Sequence, residues 1–380
     1  MGHAVVIGGG IGGLTAAVAL RRRGWTVTVC ERAPSLDPVG SGLAVAANAL
    51  KALDEIGAGE AVRKLSAIRG DGGIRRADGR WLSRTSEAAA AARYGGDSVV
   101  LLLRATLVNL LAERLDGAEL LLGTAAELVD AETGAVRVGD REIQADLVVA
   151  VDGIRSAVRR ALFPAHPAPE YAGVTAWRFV APRPDVPFGT TESWGAGLVF
   201  GVMPLVDDLV YCYATDAVPE GGAAPGGDEK AELARLFGGW HAPIPQAIAL
   251  ADPATVMRHD IYSLNEPLPT LHRGRVALLG DAAHAMTPNL GQGACQAIED
   301  AVVLAGLADR PGGLAAYTAA RLPRTTAIVR RSRRICRLTR MRNPLAVRLR
   351  DSVMALGNRY GGQAMLRQMD DVLGWRPPRL

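Results

Sequence analysis

The sequence predicts an α/β chain (α+β overall), in which a mostly parallel-sheet domain is interrupted by a mostly antiparallel sheet and followed by helices. Three observations carry this. Residues 3–31 read as strand, glycine-rich turn, helix and strand. Residues 275–304, RVALLGDAAHAMTPNLGQGACQAIEDAVVL, repeat the strand-to-helix pattern late in the chain. Between them, from Tyr171, come short runs rich in Val, Phe, Tyr and Trp, separated by proline and glycine, the signature of antiparallel strands.

The N-terminal unit is the most specific. His3–Ile7 is an apolar strand, and Gly8-Gly9-Gly10-Ile11-Gly12-Gly13 satisfies G-x-G-x-x-G before a helical stretch that Gly24 stops. Trp25 to Cys30 alternates as a second strand ending in Glu31. In such a Rossmann-like βαβ unit Gly8 makes the tight turn, Gly10 lets a diphosphate approach the backbone, and Gly13 permits close helix–strand packing. Glu31 is placed to accept hydrogen bonds from a ribose. A lone glycine motif is weak; strand, helix, second strand and terminal acid together point to a dinucleotide.

Further along, Pro34–Gly42 reads as a loop and Ala46–Ile56 as a helix ended by Gly57, while residues 66–98 show no pattern that assigns an element. Val99–Leu103 is strand-like, and Arg104 opens a helix to about Leu115; an arginine there either meets a phosphate or is simply solvated. Residues 119–144 read as two or three short strands. Asp146–Val151 is a buried strand ending at Asp152-Gly153, with Ser156 and Arg159 on a short helix. Val174–Val180, Leu198–Met203 and Leu209–Ala214 are sheet strands, Ala217–Asp228 a surface connection, Glu229–Trp240 an amphipathic helix, and Ala254–Leu264 a returning strand. The resulting division is a discontinuous first domain (1–70, 99–172 and 272–330), a second domain (71–98 and 173–271) and a C-terminal helical segment (331–380).

Where the first domain resumes, Val276–Leu279 is a short apolar strand with Asp281 at its carboxyl end, the side on which open α/β sheets bind ligands. Thr287–Gly293 is rich in breakers, and from Ala294 apolar residues recur at helical spacing (Ile298, Ala301, Val302, Ala305). Glycine amides are thus delivered to a helix N-terminus, which stabilises negative charge. Reduced flavin, anionic at its N1–C2=O edge, is a ligand of that kind.

Composition sets the bounds. At 380 residues and net charge +4 (pI ≈ 9.0) the chain has ample core and a mild basic excess, nearly all of it arginine. Cys30, Cys212, Cys295 and Cys336 have no paired spacing, which fits a reducing cytoplasm. No apolar run is long enough to span a membrane, and Arg21-Arg22-Arg23 follow the apolar N-terminal stretch instead of preceding it, unlike a signal peptide. Arg321–Arg350 holds eleven arginines and no acid. With Ile328, Ile335, Leu338 and Leu345 as an apolar stripe, it reads first as a packed helix with a solvated basic face, and second as a peripheral membrane or partner surface. Nucleic acid is disfavoured because the arm lacks aromatic residues.

Three stretches together resemble the single-component FAD-dependent aromatic hydroxylases typified by p-hydroxybenzoate hydroxylase, in the branch of urate and salicylate hydroxylases and zeaxanthin epoxidase. They are Gly8–Gly13 with Glu31-Arg32, Asp152-Gly153-Ile154-Arg155-Ser156-Ala157-Val158-Arg159, and Gly280-Asp281 with Pro288-Asn289-Leu290-Gly291-Gln292-Gly293. The resemblance implies that Gly8, Gly10, Ile11, Gly12 and Gly13 hold the FAD diphosphate, and Glu31 and Arg32 the adenosine side. It implies Arg104 on the phosphate–ribityl side, Asp152 and Gly153 in a motif serving FAD and nicotinamide, and Asp281 on the ribityl chain or phosphate. Pro288, Gly291, Gln292, Gly293 and Ala294 would surround the flavin ring. Two positions depart from the family: Val45-Ala46-Ala47 lacks the usual proline before Asn48, and Cys295 replaces asparagine or glycine.

The expected activity is oxygen transfer from a flavin C4a-hydroperoxide to an apolar aromatic substrate (hydroxylation or epoxidation), with NAD(P)H docking transiently, since no second Rossmann motif exists. The six histidines show no metal-ligand spacing, and no G-x-S-x-G or halogenase W-x-W-x-I-P signature is present. His284 reads as structural. On the substrate side Tyr211 and Arg178 are candidates, each equally readable as a structural sheet residue. A dehydrogenase or reductase without oxygen insertion, and an accessory cofactor-binding protein, remain open, as does monomer or homodimer.

Overall fold

The computed structural model describes residues 2–36, 41–67 and 70–378; part of the expected Pro34–Gly42 loop (residues 37–40) lies outside them. One six-stranded sheet organises the first domain, in the order His272–Arg273, Val276–Leu278, Leu147–Ala150, His3–Ile7, Thr26–Cys30, Glu119–Leu121. All neighbours run parallel except the first pair. Val5, Val6, Val148, Val149, Ala277 and Leu278 are fully buried, which is why these strands read as continuous apolar runs: both sheet faces are covered. The register matters for function. Ile7 pairs with both Cys30 and Ala150, and Ala150 with Leu278, so four strands end level. Gly8, Glu31, Asp152 and Asp281 therefore emerge along one rim.

The second sheet has seven strands, in the order Met257–Ser263, Glu170–Pro182, Leu209–Asp216, Leu198–Pro204, Thr191–Trp194, Asp71–Arg76, Trp81–Ser86. It is antiparallel apart from Thr191–Trp194 against Asp71–Arg76. One face, with Trp177, Phe179, Phe200 and Cys212, is sealed by the helices Glu229–Phe237 and Ile244–Leu250. The other carries Tyr211, Tyr213, Met203 and Val180, which pack towards the first domain.

Several expectations change. Residues 66–98, which show no assignable pattern in the sequence, supply two strands and the helix Glu87–Arg93; Asp71–Arg76 and Trp81–Ser86 pair with each other as an antiparallel hairpin, and Asp71–Arg76 also pairs with the distant Thr191–Trp194. Residues 119–144 form four strands: Glu119–Leu121 joins the six-stranded sheet, and the other three make a separate antiparallel sheet. Gly42–Val45 is a strand paired with Val100–Leu103. The C-terminal arm is two helices, Gly313–Thr339 and Pro344–Arg367, and the first runs through the expected 330/331 boundary. Its basic face is not simply solvated: Arg321 is buried against Glu299 and Asp300 from outside the arm, and Arg350 against its neighbour Asp351 within it. Nor is the stripe continuous in the core: Ile328 is buried, but Leu338 and Leu345 are exposed.

Candidate functional site

At the rim, Gly8 adopts φ +116°, and a Cβ there would lie 2.4 Å from the Val151 carbonyl oxygen. A Cβ on Gly13 would lie 1.9 Å from Gly8 O, so the helix Ile11–Arg22 starts flush against the turn. Gly10 differs: its nearest neighbour would be Arg104 Nη2 at 3.6 Å. The space before the turn is open, bordered by Arg104 at the start of the helix Arg104–Ala112. The N–H groups of Ile11, Gly12 and Gly13 belong to a first helical turn and have no intrahelical acceptor, while Leu14 N already bonds Gly10 O. Glu31 accepts from Gly9 N (2.6 Å) and Ala33 N (2.9 Å), bracing the turn with lone pairs to spare. Arg32 is exposed beside it.

On the neighbouring strand ends, Asp152 Oδ2 accepts from Ala157 N (2.7 Å) and Val158 N (3.3 Å), capping the helix Ala157–Leu162. Its Oδ1 is buried with no partner among the described residues. Gly153 follows at φ +81°. Arg159 ties this helix to the last strand end by donating to Ala282 O (2.8 Å) and Ile154 O (2.6 Å). Asp281 is exposed at the start of the short helix Asp281–His284, and a Cβ on Gly293 would lie 4.0 Å from its Oδ1. Asp281 thus faces the N-terminus of the helix Gly293–Leu307. Pro288 and Gly291 are exposed, Gly293 and Ala294 half-buried, and Asn289 Oδ1 is another buried acceptor without a partner among the described residues. Gln292 shares this loop. Its side chain is 1% exposed and accepts from Asn48 Nδ2 (3.0 Å) and Gln296 Nε2 (3.1 Å), so it turns into the core and leaves the backbone on the loop side.

Behind this helix lies a charged network. Glu299 and Asp300 are fully buried; Arg321, 1% exposed, donates from Nε to Asp300 Oδ1 (2.6 Å), from Nη1 to Glu299 and from Nη2 to Gln296 Oε1 (2.8 Å). Arg324 adds two bonds to Glu299, Asn48 another, and His284 Nε2 and Gly280 N bond Asp300 Oδ2. Burial alone would raise the Asp300 carboxyl, but His284 and Arg321 hold it well below the usual carboxylate range. Two carboxylates against two guanidiniums lock the glycine loop and its helix to the C-terminal arm. His284 serves this network.

The apolar junction begins beside the loop. Gly291 lies against Ala44, a Cβ there being 3.7 Å from Ala44 Cβ. Ala44, Leu101 and Leu103 pack with Val180, Met203, Tyr211 and Tyr213 of the second sheet and with Leu205 just beyond its strand Leu198–Pro204. Tyr211 is 7% exposed; burial pushes its hydroxyl up, and the neighbouring Arg178 guanidinium opposes this. Sequence reading missed the adjoining polar group. Tyr213 Oη and Trp194 Nε1 both donate to the Glu192 carboxylate, and burial raises the Glu192 pKa. Only the alternation Glu192, Trp194 within a short strand could have hinted at it.

The rim fits an FAD: free helix-start amides, an open Gly10, a bordering arginine, and buried acceptors on Asp152 and Asn289 without partners. Residues 2–332 match the family model described as FAD binding domain. The chain is 41% identical over 364 residues to the aurachin C monooxygenase/isomerase of Stigmatella aurantiaca, covering 93% of each. It is 33% identical over 360 residues to the FAD-dependent urate hydroxylase of Klebsiella oxytoca, covering 88% of this chain and 90% of that one. The structure of Klebsiella pneumoniae HpxO complexed with FAD and uric acid superposes with a TM-score of 0.86 at 29% identity over 97% of both chains. The chain belongs to the FAD binding domain family, among relatives that are flavin-dependent monooxygenases.

Proposed function

We infer that this protein is an FAD-dependent monooxygenase that uses NAD(P)H and O2 to hydroxylate or epoxidise an apolar aromatic small molecule. The observation that carries it is the meeting, at one rim, of a nucleotide-holding turn and an apolar junction roofed by the second sheet. Gly8, Gly10, Ile11, Gly12 and Gly13 hold the diphosphate, with Glu31 and Arg32 on the adenosine and Arg104 on the phosphate–ribityl side. Asp152 and Gly153 offer an acceptor to cofactor or nicotinamide, and Asp281 orients the ribityl chain. Pro288, Gly291, Gly293 and Ala294 flank the ring, with the amides of the Gly293–Leu307 helix start towards the edge where charge collects. Bound flavin supplies the electron and oxygen chemistry; the chain binds, orients and keeps water out.

The lining of the junction supports an uncharged ring system. Ala44, Leu101, Leu103, Val180 and Met203 offer no charge, and Leu198–Pro204 contains no basic residue. Tyr211 and Tyr213 bring hydroxyls to this surface, and Arg178 is a cation beside Tyr211. The test is purification with bound flavin, then a substrate panel scored by stimulated NAD(P)H consumption and product mass. A gain of one oxygen atom is expected. A colourless protein that cannot be reconstituted with FAD would overturn the reading, and turnover only with an artificial acceptor would make it a reductase.

A further inference from the structure

The helix Pro344–Arg367 is anchored on one side and bare on the other. Leu345, Leu349, Val353 and Leu356 are 74%, 67%, 62% and 58% exposed. At roughly 100° per residue they fall on one stripe, opposite Arg350, Asp351 and Met354. That opposite side is spoken for: Arg350 and Asp351 are buried, and Met354 packs with Trp194 and Leu82 of the second sheet. The stripe contributes nothing to the core, and a row of exposed large aliphatic residues on a single helix face marks an interaction surface.

Its surroundings are basic. Arg348 is exposed at the edge of the stripe. Before the helix, Arg337, Arg340 and Arg342 line a shallow recess with Ala217 and Met341. Arg342 pairs with Asp216 (2.7 Å), whereas Arg337, Arg340 and Arg348 have no ion pair among the described residues. No acid occurs between Arg321 and Arg350 to neutralise them.

We propose that this face docks on an anionic phospholipid surface. The leucine stripe enters the boundary between headgroups and acyl chains, and Arg337, Arg340 and Arg348 meet lipid phosphates, the chemistry of an interfacial amphipathic helix. The charge distribution selects this occupant over a second copy. A two-fold contact through the stripe would bring Arg337, Arg340 and Arg348, which have no ion pair among the described residues, towards the same arginines of the second copy. Attachment is peripheral, since among the described residues no helix is long and apolar enough to cross a membrane.

The experiment is flotation of the full-length, flavin-loaded protein with phosphatidylcholine vesicles, with and without phosphatidylglycerol, at low and high salt. Binding to the anionic vesicles, weakened by salt, is expected. The Leu349→Glu/Val353→Glu variant abolishes it. Arg337→Gln/Arg340→Gln lowers partitioning roughly 25-fold, at about fivefold for each basic residue near an anionic surface. Melting temperature and flavin content stay at wild-type values in both variants, because the substituted side chains are exposed. Failure of the wild type to bind anionic vesicles overturns the proposal, as does equal binding by wild type and variants. A wild-type dimer in light scattering that Leu349→Glu/Val353→Glu converts to monomer also overturns it, in favour of self-association.

Discussion

Gly10→Ala and Gly13→Ala add the same methyl group three residues apart, and the structure assigns them opposite consequences. Gly10 sits at φ −75°, ψ −176°, open to any L residue, and its new Cβ would meet only Arg104 Nη2 at 3.6 Å. Alanine at that helix-capping position costs the fold about 1 kcal/mol or less. The methyl does, however, project into the open space before the free amides. Displacing a diphosphate from one amide removes a hydrogen bond to a charged group, worth about 1.5–3 kcal/mol, or roughly 10- to 150-fold in Kd. At Gly13 the methyl would lie 1.9 Å from Gly8 O, an overlap relieved only by moving the turn off the helix. The assay is flavin-to-protein ratio and FAD titration by fluorescence, with melting temperature measured on flavin-stripped protein. Gly10→Ala is expected to melt like wild type and bind FAD weakly; Gly13→Ala is expected to lose stability itself. Wild-type FAD affinity in Gly10→Ala would refute the placement of the diphosphate, and a fully stable Gly13→Ala would refute the packing.

Arg321→Met leaves Glu299 and Asp300 short of a buried partner and is expected to destabilise by about 3–5 kcal/mol in denaturant titration; a loss under about 1 kcal/mol would show the network to be slack. Because the Asp300 pKa is held below its unfolded value, its contribution is present above the ordinary carboxylate range and lost as pH falls through it. Stability should drop on acidification below about pH 4, and Asp300→Asn should flatten that limb. Glu192 has the reverse sign: burial raises its pKa, so stability declines as pH rises above the ordinary carboxylate value. Glu192→Gln should remove this decline in melting temperature against pH, whereas Glu192→Ala strands the Tyr213 and Trp194 donors at about 1–3 kcal/mol each.

Much of the nucleotide side was legible in the chain itself. The turn at Gly8–Gly13, the acid at Glu31, and the loop before Ala294 are local signals, in which a few adjacent residues dictate backbone shape and free amides. Fully buried parallel strands announce themselves as unbroken apolar runs, and so the sheet and its rim were foreseeable. The antiparallel sheet was visible only where its strands were long, as in Leu198–Pro204 and Leu209–Asp216.

Tertiary structure alone decided the rest. The hairpin Asp71–Arg76/Trp81–Ser86 joins the seven-stranded sheet through Thr191–Trp194, more than a hundred residues away, and that parallel pairing has no local signature. The arginines of the C-terminal arm look alike in sequence, yet Arg321 is buried against Glu299 and Asp300 while Arg348 stays in solvent. Gln292 turns inward because Asn48 and Gln296 are there to bond it. Backbone shape is set by neighbours along the chain and is written in local pattern. The fate of a charge or a polar side chain depends on which distant group folding brings within hydrogen-bond reach, and residue order by itself does not encode that distance.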